Sequence, residues 1–143
     1  MTKRISGATD STRERLQALV DEHYPYGDLH VEFAEAGAAR LRKRIDTRHL
    51  RPGGTVAGPT LMAIADAAVY LALQTEAPLL EAVTSQLTIH FLRKPAARDL
   101  LVHARILRRG RTLAVGEVLL YSEGEPEVVA HAMVTYALPR AEA

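Results

Sequence analysis

The pattern of hydrophobic and polar residues predicts two helices with a hairpin between them. Residues 9–24 place apolar side chains at helical spacing, which predicts a short amphipathic helix capped by Asp10 or Ser11. Residues 30–37 and 39–46 alternate about a glycine turn and predict a β-hairpin with one exposed face. A loop rich in proline and glycine then leads into the most apolar segment of the chain.

That apolar segment, TLMAIADAAVYLALQ from Thr60 to Gln74, predicts a helix that is apolar on every side and is therefore enclosed. Pro59 suits the first helical turn, where a missing N–H is harmless, and Pro78 is expected to end the helix. The segment carries one charge, Asp66. Because burying an unpaired carboxylate costs several kcal/mol, Asp66 must be paired, exposed or used in chemistry.

The rest of the chain predicts about four antiparallel strands. The first, residues 83–92, alternates so that Thr84 falls on the opposite face from Leu87. Residues 100–121 predict two further strands, and residues 127–138 predict a last, apolar strand. About six strands and one enclosed helix belong to the α+β class, in which a curved antiparallel sheet wraps the helix. Open sheet edges in such an arrangement favour edge-to-edge pairing of two copies.

Composition describes an ordinary globular protein. The 143 residues are 48% hydrophobic and 24% charged, which suits a single domain over residues 1–143. The absence of cysteine excludes thiolate metal sites and a thiol nucleophile. A net charge of +1 argues against nucleic-acid binding. Because we find neither a secretory signal nor a membrane-spanning stretch, we expect a cytoplasmic protein without a membrane partner.

Basic residues are locally grouped in spite of the small net charge. The groups are Arg40, Arg42, Lys43 and Arg44; Arg93, Lys94 and Arg98; and Arg105, Arg108, Arg109 and Arg111. Solvated strand ends explain such groups, and so does a phosphate-bearing ligand; the sequence leaves both open. The six histidines show no metal-ligand spacing, so no metal is expected.

Three segments in this order, GGTVAGPTLMAIADAA, VTSQLTIHFLRKPA and RRGRTLAVGEV, resemble the hotdog-fold acyl-CoA thioesterases of the phenylacetic-acid-degradation (PaaI) type. The resemblance covers residues 28–138 and leaves residues 1–26 as a helical extension. It implies a hotdog core and hydrolysis of an acyl-CoA to free acid and coenzyme A without a cofactor. It also implies a homodimer, and whether two dimers pair into a homotetramer stays open.

In that family the loop before the central helix reads His-Gly-Gly, and an acidic residue follows eight positions after the first Gly. Here Ala57, Gly58 and Pro59 occupy the motif, and Asp66 occupies the acidic position. The resemblance implies that Asp66 is the general base or nucleophile, that the Gly58 N–H binds the thioester oxygen, and that Thr84 orients the water. The His and the second Gly are absent, which bears on loop conformation and substrate choice.

Elementary chemistry agrees with this assignment. Thioester hydrolysis needs a donor for the developing oxyanion and a base to activate water. The helix N-terminus offers N–H groups near Gly58 and Thr60, and Asp66 offers the base. Eight residues of helix rise about 12 Å, so Gly58 and Asp66 of one chain cannot flank the same carbonyl. We therefore expect the donor and the acid to come from two subunits.

Other residues are expected to bind the substrate. They are Thr60, Ser85, Met62 and Tyr70 near the thioester and acyl group, and Arg93 and Lys94, then Arg109 and Arg111, near the phosphates. Asp66 also has a purely structural explanation, as an acceptor for Thr84, Ser85, Tyr70 or a loop amide. A hotdog protein that binds acyl-CoA without hydrolysing it stays open. A dehydratase or hydratase is disfavoured, because the helix contains no histidine.

Overall fold

The computed structural model describes the backbone of residues 2–24 and 27–140 and the side chains of residues 11–24 and 27–140. The elements are α1 (Thr2–His23), β1 (Leu29–Glu35), β2 (Ala38–Lys43), a 3-10 turn (Thr47–His49), α2 (Gly58–Leu73), β3 (Val83–Phe91), β4 (Leu100–Arg109), β5 (Leu113–Ser122) and β6 (Val128–Ala137). The strands form one antiparallel sheet in the order β1-β2-β4-β5-β6-β3, which confirms the α+β hotdog fold. Residues 1, 25 and 26 of the expected extension, and residues 141–143 of the expected single domain, lie outside the described part.

The first helix is longer than the sequence pattern predicted. It begins at Thr2, so Asp10 and Ser11 lie within the helix and the predicted cap is wrong. Capping residues are also tolerated inside a helix, at a cost below about 1 kcal/mol each, so they do not by themselves mark its start. Leu16 and Val20 are buried in the core.

Helix α1 covers the outer edge of β1. The Gln17 side chain accepts a hydrogen bond from the Val31 N–H across 2.7 Å and donates one to the Leu29 carbonyl across 3.3 Å. Arg13 donates to the Val31 carbonyl across 3.4 Å. These bonds satisfy backbone groups that an edge strand would otherwise offer to another chain.

Helix α2 ends earlier than predicted. The chain leaves the helix after Leu73, and Gln74, which is fully buried, is its C-cap. The Gln74 amide donates to the Leu79 carbonyl across 3.1 Å and accepts from the Leu79 N–H across 2.7 Å. The expectation that Pro78 ends the helix is therefore wrong, because a buried polar side chain stops it first.

One side of α2 packs into the concave face of the sheet, and the other side is partly open. The buried residues are Leu61, Ile64, Ala65, Ala67, Ala68, Val69, Leu71, Ala72 and Leu73. Pro59, Met62 and Ala63 are exposed, and Asp66 and Tyr70 are half-buried; we call these five residues the open stripe of α2. The prediction of an enclosed helix is thus wrong for a single chain. No helix of the described residues is long and apolar enough to cross a membrane.

β-bulges bend the sheet around α2, and the bulge at Ser85 also determines which way Thr84 faces. Thr84 pairs with Tyr136, and Leu87 pairs with Val134, so Thr84 and Leu87 both face the helix. The predicted alternation placed them on opposite faces and is wrong, because one inserted residue exchanges the faces of a strand.

A close approach between β5 and α2 provides a test of the packing. A Cβ on Gly116 would lie 2.7 Å from Val69 Cγ1 and 3.3 Å from the Arg105 carbonyl oxygen. We expect Gly116→Ala to lower the free energy of unfolding by about 1–3 kcal/mol, measured by urea denaturation. In the Val69→Ala background, Gly116→Ala should lower the free energy of unfolding by less, because the Val69 methyl groups that the new Cβ would contact are absent. Additive losses in the double variant would contradict this explanation.

Candidate functional site

Two hydroxyl groups hold the Asp66 carboxylate. Thr84 Oγ1 donates a hydrogen bond to Asp66 Oδ1 across 2.6 Å. Tyr136 Oη lies 2.7 Å from the same Oδ1 and 2.9 Å from the Asp66 carbonyl oxygen, so its single proton is shared between them. Among the described residues no donor contacts Oδ2. The geometry therefore fixes one carboxylate oxygen and leaves the other able to accept a proton.

Tyr136 is the residue of this cluster that the sequence analysis missed. Its side chain is only 3% exposed. Burial, followed by the hydrogen bond to Asp66, raises the pKa of the Tyr136 phenol, which keeps it protonated as a donor. The available signal was a tyrosine at the helix-facing position two residues after Val134 and four after Ala132, where the other side chains are aliphatic.

Two residues expected beside Asp66 do not bond to it. Ser85 Oγ donates to the Thr135 carbonyl across 3.4 Å, because the bulge carries it away from the helix. Tyr70 Oη donates to the Leu80 carbonyl across 2.9 Å. The Tyr70 ring lies 5.9 Å from the Tyr136 ring, so Tyr70 packs behind the cluster and anchors the segment that follows α2.

The start of α2 leaves one amide without an acceptor. Gly58 is the first residue of the helix, and no carbonyl of the described residues accepts its N–H. The Thr60 N–H donates to the Ala57 carbonyl across 3.0 Å, and Pro59 has no N–H. Of the two expected donors, Gly58 is the one that is free. A Cβ on Gly58 would lie 3.4 Å from Phe91 Cζ, so this amide is beside the end of β3.

A cavity of about 470 Å³ opens beside Gly58 and contains a cluster of cationic side chains. Arg93 and Lys94 line it, as does Arg51, which the sequence analysis did not select. Arg93 also forms an ion pair with Glu127. Positive charge next to a free helix N-terminus favours a phosphate-bearing ligand.

The other basic groups are largely occupied. Arg42 pairs with Glu32, Asp99 and Glu123, and these ion pairs tie the hairpin to the loops around it. Arg109 lies 3.4 Å from Glu76. Arg42 and Arg109 are therefore explained as solvated surface residues, the first of the two explanations that the sequence left open.

A second cavity, of about 360 Å³, follows the open stripe of α2. Thr60 and Ala63 line it, whereas Met62, 41% exposed, lines neither this cavity nor the one beside Gly58. Within residues 11–24 and 27–140 no three side chains converge as metal ligands. The free amide and the held carboxylate are about 12 Å apart along α2, given eight residues of helix.

Comparison with known proteins identifies the relatives of this arrangement. Residues 53–136 match the family model described as the thioesterase superfamily. A candidate thioesterase from Silicibacter sp. TM1040 is 41% identical with a TM-score of 0.80, covering 89% of this chain and 91% of that one. A mutant of the phenylacetic acid degradation protein PaaI from Thermus thermophilus is 29% identical with a TM-score of 0.68, covering 79% of this chain and 93% of that one.

More distant proteins are also similar to this chain. A hypothetical thioesterase from Streptococcus pneumoniae TIGR4, crystallised with coenzyme A, is 20% identical with a TM-score of 0.72, covering 82% of this chain and 94% of that one. A candidate esterase from Saccharolobus solfataricus is 26% identical over 120 residues, which are 84% of this chain and 79% of that protein.

The Tyr136 hydroxyl provides a test of the site. Tyr136→Phe should slow thioester hydrolysis about ten- to a hundredfold, because a hydrogen bond to a charged group is lost. Tyr121→Phe, on the other face of the sheet, is the matched control and should leave the rate unchanged. An unaltered rate for Tyr136→Phe would contradict this role.

Proposed function

Because the chain belongs to the thioesterase superfamily, we propose that it hydrolyses an acyl-CoA to free acid and coenzyme A, with Asp66 as the base. The observation that carries this proposal is the Asp66 carboxylate, held at Oδ1 by Thr84 and Tyr136 while Oδ2 accepts no bond from the described residues. Binding alone needs no such base, so the geometry favours hydrolysis over an acyl-CoA-binding protein without activity.

The oxyanion donor in this proposal is the Gly58 amide. The amide is at the positive end of α2 and has no acceptor among the described residues, so it can bind the thioester oxygen as negative charge develops. The Gly58 N–H is retained, although Ala57, Gly58 and Pro59 stand where the family has His-Gly-Gly. Ala57 is the extended N-cap, and Pro59 occupies a first-turn position that needs no donor.

The reaction then follows in two steps. Oδ2 of Asp66 takes a proton from water as the water oxygen bonds to the thioester carbon, and the carbonyl oxygen, now negative, accepts the Gly58 N–H. The intermediate collapses with cleavage of the carbon–sulfur bond, and the proton passes from Asp66 to the departing thiolate. Direct attack by the carboxylate, which forms an anhydride that water then opens, is the alternative use of the same oxygen.

We infer that two copies pair through β3. The opposite edge of the sheet is covered by α1, whereas β3 is mostly exposed along its length. Four large exposed hydrophobic residues lie on or next to it: Leu80, Val83, Phe91 and Leu92. An open edge flanked by apolar side chains is a surface that a second strand covers.

This pairing would complete the site. If two β3 strands run antiparallel about Leu87, Thr84 of one copy lies opposite His90 of the other, one residue from Phe91. Since Thr84 bonds to Asp66 and Phe91 lies against Gly58, the acid of one copy approaches the free amide of the other. Association of two such dimers into a tetramer stays a prediction.

The charged cavity beside Gly58 is the proposed site for coenzyme A. Arg51, Arg93 and Lys94 would face its phosphates, and the thioester would extend from there toward Asp66 of the other copy. The streptococcal protein of the same fold, which holds coenzyme A in its crystal structure, is consistent with this ligand.

Asp66→Asn provides the direct test. We expect it to reduce turnover about a thousandfold, the range of general-base catalysis, without altering circular dichroism. Thiol release from short, medium, long and aromatic acyl-CoAs measures the effect, and Asp21→Asn on the exposed face of α1 is the control. Retained activity in Asp66→Asn would overturn the mechanism. Tight acyl-CoA binding by an inactive wild-type protein would indicate the binding function instead.

Mixing two inactive variants tests the shared site. Asp66→Asn lacks the base, and Gly58→Pro lacks the amide proton. If each site combines both copies, re-associated 1:1 mixtures should regain about a quarter of wild-type activity, since half the dimers are mixed and each has one intact site. Sites formed within one chain would give no recovery, and that outcome would refute the pairing.

A further inference from the structure

The cavity of about 360 Å³ along α2 has an apolar wall and a polar end. The apolar wall consists of Leu29, Pro59, Ala63, Ile64 and Ala67. Four ionisable side chains line the same space, Tyr24, Asp28, Lys43 and His49. We call the last three of them, Asp28, Lys43 and His49, the polar cluster. Neither this cavity nor the polar cluster has a role in the hydrolysis proposed above.

The cavity follows α2 from Ala67, the neighbour of Asp66 in the chain, to the polar cluster. At one end are Ala67, which follows Asp66, and Tyr24, whose phenol has a pKa raised by burial and then by the charge of Asp66. At the other end, the His49 carbonyl accepts the Ala57 N–H across 2.8 Å, which places the cluster beside the start of α2. The eight helical steps from Pro59 to Ala67 give this path a length of about 12 Å.

The side chains of the polar cluster contact one another, and the charges around them are balanced. Asp28 is 7% exposed, and its Oδ2 lies 2.7 Å from Lys43 Nζ and 3.4 Å from His49 Nε2. His49 Nδ1 accepts the Asp46 N–H across 3.0 Å, so in the neutral ring Nε2 carries the proton and points to Asp28. Arg48 Nη2 also lies 3.9 Å from Asp28 Oδ2 and pairs with Asp46, so the charges of Asp28 and Asp46 cancel those of Lys43 and Arg48. The Lys43 ammonium has three N–H donors, and its bond to Asp28 uses one of them.

We propose that this cavity holds the acyl group and that Asp28 and Lys43 select an acyl chain with a hydroxyl at its far end. The inference rests on the proposed function. A terminal hydroxyl can accept a hydrogen bond from Lys43 and donate one to Asp28. A terminal methyl group would displace water from the cluster without replacing the hydrogen bonds of that water. A carboxylate would add a charge to a pair that is already neutral. At about 1.3 Å per chain atom, 12 Å corresponds to about nine atoms, the eight carbons and terminal oxygen of an 8-hydroxyoctanoyl group.

Binding to the Asp66→Asn protein tests this selection without turnover. Calorimetry with octanoyl-CoA and 8-hydroxyoctanoyl-CoA should give a dissociation constant about tenfold lower for the hydroxylated ligand. Adding Asp28→Asn and Lys43→Met should bring the two constants within about twofold of each other. The matched control is Arg105→Met with Glu117→Gln, an ion pair on the other face of the sheet, and it should keep the tenfold ratio. Equal affinities in the starting protein would overturn the selection.

A second variant locates the acyl group even if the Asp28 and Lys43 changes prevent folding. Ala63→Leu fills the apolar wall and should weaken octanoyl-CoA at least about tenfold while sparing acetyl-CoA. An equal effect on both ligands would overturn the assignment of the cavity.

Wild-type turnover separates this inference from the proposed function. If the binding ratio holds but no acyl-CoA is hydrolysed, the hydrolase proposal fails and the cavity assignment stands. If both acyl-CoAs are hydrolysed but bind with equal affinity, the hydrolase proposal stands and the hydroxyl selection fails.

Discussion

The structure depends on one constraint: a single sheet must curve far enough to bury most of an apolar helix. The approach of Val69 to Gly116 shows how closely the helix is held, since a Cβ on Gly116 would lie 2.7 Å from the Val69 side chain. β-bulges provide the curvature, and the one at Ser85 also turns Thr84 toward Asp66. The device that bends the sheet therefore also supplies a hydrogen bond to the proposed catalytic carboxylate.

The two edges of the sheet differ in exposure, and this difference bears on both the proposed assembly and the proposed function. Gln17 satisfies the backbone of the β1 edge at Leu29 and Val31, whereas β3 remains exposed. The exposed edge lies beside both the held carboxylate and the Phe91 ring that contacts Gly58. Because α2 separates the two chemical groups by about 12 Å, the proposed pairing of copies at β3 would bring the acid of one copy to the amide of the other.

Sequence periodicity was sufficient for the element order and for the isolated charge of Asp66, and the resemblance extended this to the hotdog fold. It failed where tertiary contacts override local signals. Gln74, through bonds to Leu79, ends α2 before Pro78. The bulge at Ser85 leaves no mark in an alternating pattern. Tyr136 looks like one more core aromatic until its hydroxyl is seen against Asp66.

The choice of hydroxyl partners for Asp66 is itself informative. An arginine or lysine beside a half-buried carboxylate would stabilise the anion strongly and make it a weak base. Thr84 and Tyr136 are neutral donors, so they fix the carboxylate while leaving it able to take a proton. Among the described residues no cation pairs with Asp66; Arg51, Arg93 and Lys94 are instead gathered beside Gly58. The cations thus lie at the start of α2 and the acid near its middle, and paired copies would bring the acid of one beside the amide and cations of the other.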